Sequence, residues 1–267
     1  MNLREIITDA IRYPISDTRK FLIFCALIIV MSLSTVFPSY GIRDNTLSLI
    51  LSLVTLIVSF IVLGYTVDVI KCGSEGEDVL PDFDFVRQFV VGIKALILDI
   101  IYFIIPALIV IIVASATGLF SSFTEIVYAS IDAAAKNATT MTMVMDAIPK
   151  STMSAFTNAL TVTLIVAVIL FIIFSLMSFA GLVRFAKSGS GIEGLRFRKI
   201  LSDMSSVGFV KIIVTLIVIY LISLVFSFVL GIIGLIPYIG VFIAIFIGVP
   251  FMILFFYRAI GLLYADA

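Results

Sequence analysis

The chain has 267 residues, equal numbers of acidic and basic side chains, no histidine and a mean hydropathy of +1.29. Only 13% of its residues are charged, against about 25% in soluble globular domains. These values exclude a soluble domain and a basic nucleic-acid-binding protein, so we expect an integral membrane protein with no nucleic-acid partner. The absence of histidine also excludes Ser-His and Cys-His nucleophiles, and we predict no catalytic residues.

Six apolar segments are long enough to cross a bilayer. They run over about 20–38, 46–70, 93–116, 158–183, 208–234 and 239–264. Each is predicted to be an α-helix, because a lone strand in hydrocarbon leaves its backbone polar groups unpaired. The prediction is one all-α integral membrane domain, residues 1–267, built as a polytopic bundle of six transmembrane helices.

Lysine and arginine are unequally distributed between the two sides of this bundle. With the N-terminus inside, only Arg43, Lys136 and Lys150 lie outside, and the other fourteen of the 17 basic residues lie inside. An excess of Lys and Arg is typical of cytoplasmic segments. Both termini are therefore predicted in the cytoplasm and the protein in the cell membrane, where lipids are its first partners.

The outer segment, about residues 118–157, is rich in serine and threonine. Four of its apolar residues recur at helical spacing: Phe120, Phe123, Val127 and Ile131. This pattern predicts a helix that lies partly on the outer membrane surface. The sequence Asn137-Ala-Thr has the pattern of a glycosylation acceptor.

A short amphipathic stretch precedes each span that runs from inside to outside. The three stretches begin near Leu3, Phe85 and Ile192, and each has an apolar face. In the second, Arg87 and Gln88 are predicted to lie away from that face. Such helices either lie in the membrane interface or pack on the end of the bundle. The resulting plan is three helical hairpins, each preceded by a short cytoplasmic interfacial amphipathic helix.

The densest charge lies between the second and third spans, in SEGEDVLPDFD. It carries five acids: Glu75, Glu77, Asp78, Asp82 and Asp84. Carboxylates bind Mg²⁺ or Ca²⁺, but this spacing is not that of an EF-hand. We therefore favour a structural or docking loop over a metal site, and expect no cofactor. In this interpretation Pro81 fixes a turn, and Leu80 and Phe83 are its apolar anchors. Asp84 caps the next helix.

Beside an anionic leaflet these acids are repelled unless a positive group lies between. We therefore expect the loop to face the basic helix that carries Arg196, Arg198 and Lys199. The outermost acids, Glu75 and Glu77, then remain available to a basic protein partner in the cytosol.

Three charged residues lie inside the predicted spans: Asp68, Asp99 and Arg258. Charges within the membrane are costly and often functional, so a proton or substrate relay is one interpretation. The other is an ion pair that holds the bundle together. We favour an Asp99–Arg258 pair, with Asp68 as the alternative acid.

Several motifs resemble an archaeal membrane family known as domain of unknown function 4013. The residues that carry the resemblance are Arg12, Tyr13, Pro14, Ser16 and Asp17 near the start; Glu75, Gly76, Glu77, Asp78, Leu80, Pro81, Phe83 and Asp84 in the acidic loop; and Gly92, Lys94, Tyr102 and Pro106 beyond it. The resemblance implies an archaeal cell membrane and a stand-alone domain. Where the family often has an acidic-aromatic DDW, this chain has Asp84-Phe85 and no tryptophan.

Three functions are compatible with these features. The first is a non-enzymatic structural or adaptor protein that organises membrane or partners at its cytoplasmic face. The second is a small transporter or channel for a lipid or amphiphile, which needs a polar cavity inside the membrane. The third is a metal-assisted lipid-modifying enzyme, which needs the acids of the loop to converge.

Overall fold

The computed structural model describes residues 1–39, 41, 44–136, 138–236 and 239–265, and every regular element within these ranges is helical. The helices are α1 (Leu3–Arg12), α2 (Thr18–Ser39), α3 (Asn45–Glu75), α4 (Phe85–Ala116), α5 (Leu119–Ala135), α6 (Met141–Ala147), α7 (Lys150–Ser188), α8 (Phe197–Val207), α9 (Phe209–Gly234), α10 (Ile239–Ile243) and α11 (Val249–Leu263). A π-helical turn, Ala244–Gly248, joins α10 to α11.

Within the described ranges, six helical segments are long and apolar enough to cross a membrane: Thr18–Pro38, Asn45–Glu75, Phe85–Ala116, Lys150–Ser188, Phe209–Gly234 and Ile239–Leu263. They match the six predicted spans, so the chain is a multi-pass membrane protein. α3 and α7 are longer than predicted, because both continue beyond their apolar windows into polar residues. α7 therefore includes the last part of the segment predicted to lie outside.

The helices form two compact units. The first, which we call the terminal unit, comprises residues 1–99 and 177–267, and the second, the central unit, comprises residues 100–176. In the terminal unit, α3 packs on α2 and α11, and α1 packs on α11. Its core contains Phe24 and Tyr65, both fully buried, with ring centroids 5.2 Å apart. Leu254 of α11 is also fully buried in this cluster.

α3 and the first turns of α4 approach each other closely at two glycines. A Cβ added at Gly64 would overlap the carbonyl oxygen of Gln88, and one added at Gly92 would overlap the carbonyl oxygen of Phe60. Small residues let membrane helices bring their backbones together in this way. The crossing places polar side chains of α4 against α3.

α1 is a short helix with well-defined ends. Asn2 and Glu5 form a capping box at its start, with Glu5 N donating to Asn2 Oδ1 at 2.9 Å. Ile6 and Ala10 on its apolar face are fully buried. The helix ends at Arg12, just before Pro14, as the sequence predicts.

The second amphipathic stretch is not a separate helix, because residues 85–93 are the first turns of α4. The predicted polar face is divided, because Gln88 is buried whereas half of the Arg87 side chain is exposed. Gln88 is fully buried, whereas Phe85 and Val86 are 47% and 78% exposed. Arg87 and Gln88 point toward α3. The apolar side chains of this stretch therefore lie on the other side of the helix, which is free to face the hydrocarbon of the membrane.

The central unit contains the rest of α4, α5, α6 and the first part of α7. α5 packs on α6, and the Thr152 hydroxyl donates to Glu125 Oε2 at 3.1 Å. The four apolar residues predicted on one helix all lie on α5 and are largely exposed: Phe120, Phe123, Val127 and Ile131. Asn137, the predicted glycosylation acceptor, lies outside the described residues.

Candidate functional site

The acidic loop, residues 76–84, lies at one end of the terminal unit, together with α1 and the last turns of α11. We call this region the α1 end. The loop begins at Gly76, whose φ of 76° lets it terminate α3 in a left-handed conformation. It ends at Asp84, whose Oδ1 accepts from the backbone N–H of Arg87 at 3.1 Å and caps α4.

Apolar and aromatic contacts fix the loop in place. Leu80 is 1% exposed. Phe83 stacks on Tyr65, with ring centroids 4.3 Å apart. The Tyr65 hydroxyl donates to the carbonyl oxygen of Pro81 at 3.2 Å. Leu80 and Phe83 thus occupy the anchoring positions expected from the sequence, and a buried core tyrosine holds the turn at Pro81.

The four acids of the loop and Glu75, the last residue of α3, do not converge. Their partners are Lys71 for Glu75, the thiol of Cys72 for Glu77, Arg258 for Asp78, Lys20 for Asp82 and Arg87 for Asp84. No three His, Cys, Asp or Glu side chains among the described residues are grouped so that they could hold a metal ion. The geometry of the described loop therefore offers no argument for metal chemistry.

Arg258 of α11 is the centre of the α1 end, with only 1% of its side chain exposed. Its Nε donates to Asp9 Oδ1 at 2.7 Å, and its Nη2 donates to Asp9 Oδ2 at 3.2 Å. Its Nη1 donates to the backbone carbonyl of Glu77. The guanidinium carbon lies 4.2 Å from the ring centroid of Tyr13. One side chain thus joins α11 to α1 and to the acidic loop.

Tyr13 and Lys20 complete the attachment of the loop. The Tyr13 hydroxyl donates to the carbonyl oxygen of Val79 at 3.2 Å. Burial, with a contribution from Cys72, raises the pKa of Tyr13, so this hydroxyl stays protonated and remains a donor. Lys20 Nζ donates to the carbonyl oxygen of Leu80 at 2.6 Å and lies 2.9 Å from Asp82 Oδ1. The hydrogen bond and charge of Lys20 lower the pKa of Asp82 below its ordinary value.

Asp68 forms a second polar centre where α3 crosses α4. Arg87 binds its two carboxylate oxygens with both Nη atoms, at 2.9 and 2.7 Å. Gln88 Nε2 donates to Asp68 Oδ2 at 3.0 Å and to the carbonyl oxygen of Asp82 at 3.1 Å. The charge-assisted hydrogen bonds of Arg87 join α4 to α3, and those of Gln88 join α4 to α3 and to the loop between them.

The expected ion pair between Asp99 and Arg258 does not form. Asp99 instead accepts a hydrogen bond from the Ser178 hydroxyl at 2.6 Å. The prediction compared only the depths of charges within the spans. It was wrong because Asp9 of α1, outside every span, reaches Arg258.

The expected contact between the acidic loop and the basic helix is also wrong. Arg196 and Lys199 pair with Glu193 of their own segment, at 2.6 and 3.3 Å. Arg184 pairs with Glu193 at 3.1 Å and with Asp203 at 2.6 Å. Glu193 thus pairs locally with two of the three basic residues, Arg196 and Lys199. Among the described residues, no ion pair joins Arg196, Arg198 or Lys199 to the loop, which is bound through Lys20 and Arg258.

Five residues that hold the loop and its surroundings in place were not singled out as site residues in the sequence: Asp9, Tyr13, Lys20, Tyr65 and Gln88. Only Tyr13 had a signal, since it belongs to the opening motif that carries the family resemblance. Asp9 and Lys20 are single charged residues of helices that show no distinctive motif. Tyr65 is a core aromatic residue, and Gln88 carries an amide. Their importance depends on contacts between residues far apart in the chain.

Comparison with known proteins agrees with the family resemblance that the motifs of the acidic loop and α4 indicate. A family model described as "Protein of unknown function (DUF4013)" matches residues 47–235. The chain is also 32% identical, over 152 residues, to an uncharacterised protein of the archaeon Methanocaldococcus jannaschii. That alignment covers 47% of this chain and 52% of the relative, so the chain spans about half of the length of the curated relative it matches. No solved structure matches the chain.

Proposed function

This chain belongs to the DUF4013 family of proteins of unknown function, and from its own geometry we propose that it is a non-enzymatic adaptor of the cell membrane. In this proposal the α1 end faces the cytoplasm and presents the acidic loop to a basic protein partner. The distribution of Lys and Arg along the chain supports this orientation, because cytoplasmic segments are enriched in both.

One observation carries the proposal: the loop combines a fixed backbone with exposed acids. Asp78 and Asp82 have side chains that are 86% and 94% exposed. Leu80, the middle one of the three residues between them, is buried. A surface that is already ordered loses little conformational entropy on binding. Two exposed carboxylates on such a surface favour a positively charged partner and speed its encounter.

In this proposal Asp78 and Asp82 are the acids available to a partner, whereas Glu75 and Glu77 were expected from the sequence. Glu77 accepts a hydrogen bond from the Cys72 thiol at 3.2 Å, and Glu75 lies 3.9 Å from Lys71. All four acids are engaged within the terminal unit, but the side chain of Glu75 is only 43% exposed, against 86% for Asp78 and 94% for Asp82. Asp78 and Asp82 are the acids that a partner meets first.

The experiment is site-specific crosslinking in intact cells. A photoreactive amino acid replaces Val79, which is 51% exposed between the two acids. We expect a protein adduct that disappears in the double variant Asp78→Asn, Asp82→Asn. The matched control is Asp132→Asn with Asp146→Asn, which removes two exposed acids from the central unit and should leave the adduct unchanged. No adduct, or equal adducts in both double variants, would reject the adaptor proposal.

A second function, a small transporter or channel for a lipid or amphiphile, is favoured by Asp99. This carboxylate lies within a membrane-spanning helix, and the Ser178 hydroxyl is its hydrogen-bond donor. An ionisable group at such a position is a default candidate for a transport pathway. The test is movement of a headgroup-labelled fluorescent lipid across liposomes that contain the protein. The transporter function requires movement faster than in protein-free liposomes and a clear loss in Asp99→Asn.

A further inference from the structure

A surface cavity of about 430 Å³ lies within the terminal unit, between α4 and the glycine-rich loop that follows α7. We call it the α4 cavity. Its lining includes Lys94, Ile97 and Leu98 of α4 and Ser190, Ile192 and Leu195 of the loop. Pockets that hold small ligands in proteins have volumes of about 300–1,000 Å³. The α4 cavity therefore has room for a lipid headgroup and the start of a hydrocarbon chain.

Packing fixes the shape of the α4 cavity. Leu98 is 1% exposed, and a Cβ added at Gly194 would lie 2.6 Å from its Cδ1, so the loop lies directly against α4. Within the loop, the N–H of Glu193 donates to the carbonyl oxygen of Ser190 at 3.1 Å. The Glu193 carboxylate also pairs with Arg184 of α7 at 3.1 Å. A ligand thus meets a formed cavity, and its binding requires little ordering of the protein.

The charge of the lining favours an anion. Lys94 is the one charged residue that lines the cavity. Its side chain is exposed and has no hydrogen bond or ion pair with another described residue. Ser190 adds a hydroxyl group, which can donate a hydrogen bond. An anion that enters the cavity therefore meets an accessible ammonium group and no carboxylate of the lining.

The α4 cavity lies where two spans reach the edge of the membrane. Lys94 directly precedes an apolar run of α4 that begins at Ala95. The glycine-rich loop begins immediately after Ser188, the last residue of the span Lys150–Ser188. Lipid headgroups occupy this boundary on either side of the hydrocarbon core. Two segments far apart in the chain thus place the cavity at the level of lipid phosphates.

Apolar side chains extend the cavity from Lys94 toward the membrane core. Ile97 lies three residues further along α4, which is about 4.5 Å deeper at the rise of an α-helix. Ile97 and Ile192 are 52% and 71% exposed, and both line the cavity. A charged group at the boundary followed by apolar surface matches the order of groups in a phospholipid.

We propose that the α4 cavity binds one anionic phospholipid, with its phosphate at Lys94 and the start of one hydrocarbon chain against Ile97 and Ile192. The ammonium group of lysine is a common partner of phosphate. A free phosphate ester would use Lys94 and leave both isoleucines exposed. The lipid covers both kinds of surface, and so it is the occupant that the lining favours.

The test is photocrosslinking of the full chain in phosphatidylcholine liposomes. A small, sub-saturating share of phosphatidylglycerol carries a diazirine near the glycerol end of one chain. Trypsin cleaves after Lys187 and Arg196, so the peptide Ser188–Arg196 contains the whole glycine-rich loop. We expect the lipid adduct to be concentrated on this peptide. Adducts distributed evenly over the spans would show only the general lipid surroundings of a membrane protein and would overturn the proposal.

The decisive variant is Lys94→Gln, which removes the charge and leaves the glycine-rich loop unchanged. One lysine near a membrane surface changes binding of an anionic lipid by about fivefold, so the adduct on the loop peptide should fall about fivefold. Lys94→Arg should retain it. The matched control is Lys150→Gln, which removes an exposed lysine at the other end of α7 that also has no described partner. Equal adducts in Lys94→Gln and Lys150→Gln contradict the site.

Competition in the wild-type protein decides the question even if Lys94→Gln does not fold. Unlabelled dioleoylphosphatidylglycerol should reduce the adduct on the loop peptide, whereas dioleoylglycerol, which has no phosphate, should not. Glycerol 3-phosphate at the same concentration should also leave it unchanged. Equal competition by glycerol 3-phosphate would show that the occupant is a free phosphate ester, and equal competition by dioleoylglycerol would show that Lys94 does not select the lipid. Either result rejects an anionic phospholipid as the ligand.

Discussion

Replacement of Arg258 by glutamine tests the centre of the α1 end. Arg258 is buried, and it binds both carboxylate oxygens of Asp9 and the carbonyl of Glu77. Glutamine removes the positive charge and the two-pronged contact. Asp9 then loses its described ion-pair partner, and the ring of Tyr13 loses the cation above it.

The size of the effect follows from burial. Removal of one partner from a fully buried ion pair costs about 3–5 kcal/mol. The side chain of Asp9 is 29% exposed, so water solvates part of the unpaired charge and the cost falls toward about 3 kcal/mol. Loss of the cation–π contact adds about 0.5–1 kcal/mol. At about 2–4 °C for each kcal/mol in chains of this size, the melting temperature should fall by roughly 10 °C.

The assay is a double-mutant cycle on thermal unfolding in detergent. Asp9→Asn alone should be destabilising, and Asp9→Asn combined with Arg258→Gln should be little worse than Arg258→Gln alone, with a coupling energy of about 1–3 kcal/mol. Asp99→Asn provides the comparison, since Asp99 binds Ser178. Its effect should add to that of Arg258→Gln.

The reverse result would refute this reasoning. If Arg258→Gln couples to Asp99→Asn and adds to Asp9→Asn, the ion pair expected from the sequence is the real one and α1 is not held by Arg258. A fall of less than about 3 °C would show that the buried guanidinium contributes little to stability.

Three further predictions test the helix crossing, the loop and the orientation. Gly92→Ala should destabilise the protein by about 1–3 kcal/mol in thermal unfolding through overlap between α3 and α4, whereas Gly231→Ala, which has open space around it, should not. The lowered pKa of Asp82 means that its contact with the α2 lysine stabilises the fold above the ordinary pKa of 3.8 and is lost as pH falls through the lower folded value. Melting temperatures of wild type and Asp82→Asn should therefore differ at pH 6 and converge at low pH; a constant difference contradicts the contact. With both native cysteines replaced, a cysteine at Ser130 should react with an impermeant thiol reagent in intact cells and one at Ser202 should not, and the opposite result would invert the proposed orientation.

The sequence predicts the spans well because their signal is local. A run of about 20 apolar residues has to be a helix if it lies in hydrocarbon. The same holds for the start of α4, which Asp84 caps through a contact three residues away. Leu80 and Phe83 were likewise identifiable as candidate anchors, because with Val79 they are the apolar residues of an otherwise acidic loop around Pro81.

Only the tertiary structure decided which charges meet. Asp9 and Arg258 are 249 residues apart in the chain, and nothing in the spacing of either residue points to the other. Gln88 is buried although it is polar and adjacent to Arg87, because Gly64 and Gly92 bring α4 against α3 at that level. Local patterns fix where a helix runs, whereas the partner of a long charged side chain depends on helix crossings that sequence periodicity does not encode.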